Sequence, residues 1–198
     1  MPRLRDATRQ ERRRVFIEAA WRRAASQGWR EMTVDDVAAE AGLSKGAFYA
    51  HFDSKQALLH ALIVDDASWI STLMSGLEAQ HQDGIERLRS LTRLMLQRAE
   101  DPARVRVRAD LWAAALGEPD LRRRLGEAVD ADRRVIRRWV QEAIAGGELP
   151  ALPANALASI LLALNDGLML HRALDESGFR WANVSSALDA LLAGLRAG

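Results

Sequence analysis

The chain has 198 residues, no cysteine and a net charge of +1, with 48% apolar residues. That length gives room for one or two domains with an ample core, and the lack of cysteine excludes a disulfide framework and thiol chemistry. Charge is spread unevenly: residues 1–60 hold eleven Lys+Arg against eight Asp+Glu, and residues 61–198 hold seventeen against nineteen, so the N-terminal part is mildly basic, as a nucleic-acid partner would require.

Residues 1–8 read as a loose arm, in which Arg3 and Arg5 could enter a minor groove. A first helix spans about 9–27, with Phe16, Ala20 and Ala24 on one face and Gly28 as its stop. Thr33 is a good N-cap for a second helix, with Asp35 and Asp36 in the first turn, where the helix dipole favours negative charge. Val34, Val37, Ala38 and Ala41 give that helix one buried face, and Gly42 sits where it must end. Ser44 then caps a short third helix, about 45–50. Its Ala47, Phe48 and the following Phe52 are expected to pack inward, leaving Lys45, Tyr49 and His51 outside. Small residues at Gly46 and Ala47 let such a helix approach a groove closely. The pattern is a helix-turn-helix whose second helix reads DNA.

A fourth helix runs over 54–80, capped by Ser54 and striped with Leu58, Leu59, Leu62, Trp69, Leu73 and Leu77. Ile85, Leu88, Leu91, Thr92, Met95 and Ala99 make an amphipathic fifth helix, which Asp101-Pro102 ends. A sixth carries Leu111, Trp112 and Leu116. Pro119 suits the first turn of a seventh, striped with Leu121, Leu125, Val129, Ile136, Val140 and Ile144. The eighth, about 155–174, is apolar nearly all round. The ninth, about 180–195, shows Trp181, Val184, Leu188, Leu191, Leu192 and Leu195. Strand signals are nearly absent, so the fold class is all-α with about nine helices. The run 156–170 is broken by Ser159, Asn165 and Asp166 and reads as too short and polar to span a membrane. The N-terminus lacks an apolar stretch behind its arginines, so no signal peptide is read there and the expected location is the cytoplasm.

The stretch GLSKGAFYAHFDSK, residues 42–55, resembles the signature of the TetR family of bacterial transcriptional regulators, and 16–28 with 33–41 resembles that family's first two helices. One departure is Ala24, where the family often has an aromatic; Trp21 or Trp29 is expected to supply the volume. The resemblance implies a head over 1–55, a connecting helix over 54–80, and an effector-binding and dimerisation body over 56–198. It implies a homodimer on a near-palindromic double-stranded operator, most simply a repressor released by a small-molecule effector.

Candidate DNA contacts are Lys45, which can reach a phosphate or a guanine edge; Tyr49 and His51, for phosphate or sugar; Thr33, Ser44 and Lys55 at helix starts, where backbone N–H groups also meet phosphates; and Gly46 and Ala47, for close approach. Expected dimer residues are Leu161, Leu164, Leu168, Val184, Leu188, Leu191, Leu192 and Leu195. Candidate effector-lining residues are Trp69, Leu73, Met95, Trp112, Trp139, Asp166 and Met169, pointing to a mostly apolar ligand with one polar or cationic group. Asn165-Asp166, polar in mid-helix among leucines, motivates that group. The four histidines, His51, His60, His81 and His171, lack metal-ligand spacing, and no phosphate loop, dinucleotide fingerprint or HExxH is present, so no cofactor or metal is expected. The rival reading is an α-helical enzyme or a protein-interaction bundle.

Overall fold

The structure, a computed structural model, describes residues 2–175 and 180–196, with side chains described for 8–175, 180, 182–191 and 194. Among the described residues there are nine helices and no strand: α1 Pro2–Gln27, α2 Val34–Glu40, α3 Lys45–Tyr49, α4 Lys55–Gln80, α5 Gly84–Arg98, α6 Pro102–Gly117, α7 Pro119–Ala145, α8 Ala154–Leu174 and α9 Trp181–Arg196.

The arm expected over residues 1–8 is instead the start of α1. Pro2 sits at the first helical position, where its fixed φ suits a helix and its missing N–H costs nothing. The arginines and leucine that follow are good helix formers. The side chains of Arg3 and Arg5 lie outside the described residues, as do those of Trp181, Leu192 and Leu195.

The chain divides into two compact units. The first is residues 1–68 with 106–123, and the second is 69–105 with 124–198. The head therefore holds more than residues 1–55: it also takes the first half of α4, most of α6 and the start of α7. Side chains explain this. The Trp29 backbone N–H donates to Asp110 at 2.9 Å, and Gln56 donates to Glu118. Arg108 pairs with Asp66 at 3.3 Å, both side chains largely buried. Trp21 Nε1 donates to Asp65 at 2.9 Å, tying α1 to α4. Ala24 is fully buried, and of the two tryptophans proposed to compensate for it, Trp29 is the buried one.

The second unit is built on a cluster of Ile70, Met74, Leu77, Ile85, Leu88, Leu91, Ile136, Trp139, Val140, Ala143, Leu149 and Ala158. Apart from Leu149, in the connection after α7, these residues come from the end of α4 and from α5, α7 and α8, at the three-and-four spacing of inward helix faces. By length and composition, α4 and α8 are each apolar enough to cross a membrane, which the shorter run 156–170 did not suggest. In α4 that apolarity is used in packing: Leu58, Leu59, Leu62 and Ile63 are buried in the first unit, and Ile70, Met74 and Leu77 in the second. In α8 much of it faces outward, with Ile160 60% exposed and Leu174 86%.

Candidate functional site

The head is held by aromatic packing under the reader helix. Phe16 of α1 meets Phe48 edge-on at 5.5 Å and Phe52 at 6.3 Å, and all three are buried. Burying one such phenylalanine is worth roughly 1.5–3 kcal/mol, so Phe48 fixes the rotation of a helix only five residues long. That rotation decides which residues face out.

Each turn is closed by its own polar groups. Thr33 and Asp36 form a reciprocal cap: the Asp36 N–H donates to Thr33 Oγ1 at 3.1 Å, and the Thr33 N–H and hydroxyl donate to Asp36 at 2.8 and 2.7 Å. These bonds, with a further one from Gln27, hold the Asp36 carboxyl down at about 2. Arg22 to Glu40 at 2.6 Å and Arg23 to Asp36 at 3.4 Å fasten α1 to α2. After α2 the backbone must reverse, and Gly42 does so at φ +65°. The Leu43 N–H reaches back to Ala38 O and the Gly42 N–H to Ala39 O, which closes the orphan carbonyls of α2. Ser44 Oγ then accepts from the Ala47 N–H at 3.0 Å.

Of the DNA-contact candidates, Thr33, Ser44, Lys45, Gly46 and Tyr49 are exposed, Tyr49 at 49%. Lys45 Nζ bonds Asp35 at 2.9 Å, which raises its pKa. A Cβ built on Gly46 would meet nothing closer than Ser44 Oγ at 3.8 Å, so the start of α3 is open to close approach. Ala47 is half-buried.

Two candidates turn inward. His51, expected outside, is half-buried with its ring 5.9 Å from Phe16 and its Nδ1 buried without a partner. Burial first, then the charges of Arg9, Arg12 and Arg13, lower its pKa. Lys55 is also half-buried: its Nζ donates to Arg30 O at 2.9 Å and lies 4.9 Å from the Trp29 ring centroid. Burial lowers its pKa against the pull of Glu31 and Asp36. Its ammonium is engaged within the head, on Arg30 O and the Trp29 ring.

The structure also brings forward residues that sequence reasoning passed over. Arg9, Arg12 and Arg13 act on His51 from one face of α1, and Arg13 lies 5.0 Å over the Phe52 ring. Their spacing of three and four, continued by Phe16, was the available signal.

In the second unit the effector candidates separate. Trp139 is fully buried in the core cluster, and its Nε1 donates to Glu78 at 2.8 Å. That bond holds the Glu78 carboxyl below its ordinary range, with Arg138 adding to it. Trp139 is thus part of the core of the second unit. Trp112 belongs to the first unit, half-buried, with Arg108 5.8 Å from its ring. Trp69, Leu73 and Met95 are half-buried and each packs against the core cluster. The guanidinium of Arg98 covers the Trp69 ring at 3.5 Å. Met169 and Asp166 are half-buried on α8, and Asp166 is already engaged with another group. The buried member of the Asn165-Asp166 pair is Asn165, at 7% exposure.

Of the dimer candidates, Leu161, Leu164, Leu168, Val184 and Leu188 are half-buried and Leu191 is 66% exposed. Leu161 leans on the core cluster. The exposed large apolar residues of α8 are Ile160, Leu170 and Leu174, none of which the expected set contained. Among the described residues, no group of three or more His, Asp or Glu could hold a metal ion.

Comparison with known proteins bears on both units. Residues 16–62 match the description "Bacterial regulatory proteins, tetR family", and residues 84–197 match "BetI-type transcriptional repressor, C-terminal". A 49-residue stretch is 45% identical to the HTH-type transcriptional regulator YerO of Bacillus subtilis, covering 25% of this chain and 17% of that protein. Nearly the whole chain is similar to the nucleoid occlusion factor SlmA of Klebsiella pneumoniae, 27% identical over 92% of this chain and 96% of that one. A crystal structure from Saccharomonospora viridis, described as a transcriptional regulator in complex with choline, shares the fold at a TM-score of 0.82. It is 24% identical and covers 92% of this chain and 96% of that chain.

Proposed function

The chain belongs to the TetR family of bacterial regulatory proteins, with a body of the BetI-type repressor kind, and from that membership we propose a two-fold symmetric repressor released from its operator by a small-molecule effector. It is a DNA-binding transcriptional regulator. The observation that carries the reading is the reader helix. Its inner residue Phe48 is locked by Phe16 and Phe52, and its outer face offers Lys45, Gly46 and Tyr49.

In this reading Lys45 leaves Asp35 for a phosphate or a guanine edge, and Tyr49 gives its hydroxyl to the backbone of the duplex. Thr33 and Ser44 present helix starts to phosphates. Arg9, Arg12 and Arg13 add positive charge near His51. Two heads are needed, since one short helix reads few bases and a palindrome mirrors protein symmetry. The outward faces of α8 and α9 supply the pairing surface. Such a protein works in the cytoplasm, beside the DNA it reads.

The effector binds in the second unit, near Trp69, Leu73, Met95 and Met169, and is mostly apolar with one polar or cationic group. The choline bound to the Saccharomonospora viridis regulator supports a small molecule of that kind. Effector binding favours a state whose heads no longer match the half-sites, and DNA must then weaken effector binding by the same factor. The rival reading, an α-helical enzyme or interaction bundle, gains nothing from the relatives, which are named as regulators or as a DNA-associated factor.

Selection of bound duplexes from a random pool at moderate salt tests this directly. The expected product is a near-palindrome with half-sites about one helical turn, or a multiple of it, apart. A pool that yields no enriched sequence, from a protein that is folded, sinks the reading.

A further inference from the structure

We infer that Asn165 is the polar anchor of a ligand site in the body, and that the molecule it takes is mostly apolar with one hydrogen-bond donor, a hydroxyl or an N–H. This rests on the reading of the second unit as the effector-binding body.

Asn165 and Thr92 are the buried polar residues among those described. Asn165 is 7% exposed, and its Oδ1 is buried with no hydrogen-bond partner. Buried carbonyl oxygens in folded proteins almost always have a donor, so an orphan one calls for an explanation. Helix geometry does not provide one. Asn165 lies in the middle of α8, far from either end, where no cap or turn needs a side-chain amide.

Its surroundings on α8 are apolar. Leu161 and Leu162 precede it by one turn on the same face, and Leu168 and Met169 follow by one turn. Leu161 and Leu162 pack against the core cluster of the second unit, as do Trp69, Leu73 and Met95 from α4 and α5. All seven of these residues are half-buried rather than locked in the core. Two of them are methionines, whose unbranched thioether chains adapt to a guest. Asp166, the neighbour favoured by the sequence, is half-buried and already engaged. On α8 the arrangement is one buried acceptor flanked a turn away on either side by half-buried apolar side chains. A hydrogen bond made there is strengthened by the low local dielectric. A hydrocarbon cannot make it, and a hydroxyl or an N–H can.

The test uses the full-length chain and two isomeric probes, 1-octanol and methyl heptyl ether, which differ in that only the alcohol can donate. Binding is read by tryptophan fluorescence. The parent is expected to hold the alcohol about tenfold more tightly than the ether, the value of one net hydrogen bond. Asn165→Leu and Asn165→Ala should both lose that preference. Asn165→Leu should also melt no lower than the parent, because it removes an unpaired polar group and keeps the volume. A parent without the preference, or variants that keep it, overturns the inference. So does an Asn165→Leu variant that melts several degrees lower, since the amide would then be paired in the free protein. Operator release, followed in the same samples, separates the two ideas. Asn165-dependent alcohol binding that leaves operator affinity unchanged removes the effector-release reading and keeps the anchor. An effector that releases operator equally from the parent and Asn165→Ala removes the anchor and keeps the release reading.

Discussion

Lys45 and Lys55 are the chain's two lysines, and their surroundings send them to different work. Lys45 is exposed, and its bond to Asp35 is a surface ion pair worth little to the fold. Lys45→Ala should therefore weaken DNA binding for all sequences alike and lower the salt slope by about one, with an unchanged melting temperature. Binding isotherms at several salt concentrations check this; a variant that binds like the parent removes Lys45 from the interface. Lys55 is spent internally on Arg30 O and the Trp29 ring, so Lys55→Ala should instead cost stability, about 1 kcal/mol. Asp36 gives a pH signature. Its carboxyl is held at about 2 when folded, against about 3.9 in an unfolded chain. A depressed carboxyl stabilises the fold above the unfolded value, and that contribution is lost as pH falls from about 4 through about 2. Urea unfolding of the parent and Asp36→Asn at pH 5 and pH 2.5 should show a stability gap that shrinks at the lower pH. Thr33, Ser44 and Lys45 were legible because a cap or an exposed position is a local property. His51 and Lys55 were not, since their burial depends on Phe16 and Trp29, far off in sequence.

At the scale of elements, the caps and stops marked the helices well. Thr33, Ser44, Ser54 and Gly42 each act where the sequence put them. The first eight residues were misjudged because charge suggested a free arm, while residue propensity favours continuing the helix. In the body, a tryptophan at core spacing reads the same whether it fills a core or lines a site. Only the partner settles Trp139, and that partner is Glu78, 61 residues away. A tighter contact lies beside it. A Cβ on Gly84, the first residue of α5, would sit 2.5 Å from Trp139 O and 3.1 Å from Ala143 N, both backbone atoms of α7. Those atoms cannot swing aside as a side chain would. Gly84→Ala should destabilise the body by about 1–3 kcal/mol through overpacking, visible as a lower melting temperature. An unchanged melt means that α5 and α7 do not approach so closely.

At the scale of the whole molecule, the informative surface is the apolar row that a single chain leaves uncovered. Ile160 is 60% exposed, Leu174 86% and Leu191 66%, on the two helices expected to pair. Isolated exposed leucines need no explanation, but a row along one helix marks an interaction surface. A second copy related by a two-fold axis would cover it with the same row, as an isologous interface requires. The sequence assigned the pairing surface to α8 and α9 without separating the faces of α8, because α8 is apolar on nearly every side and its inner and outer rows look alike. Leu161 leans inward while Ile160, one residue earlier, points out. The sharpest substitution is therefore Ile160→Glu. A single chain already exposes that position, so a charge there should leave the fold of the protomer intact. In a paired seam the same charge would be buried without a partner, at a cost of several kcal/mol. Sedimentation should show a monomer where the parent is a dimer. Operator affinity should fall by about a hundredfold or more, as the second head is no longer tethered to the first, although no residue of the head has changed. A variant that stays dimeric and binds operator like the parent would place the seam on another face.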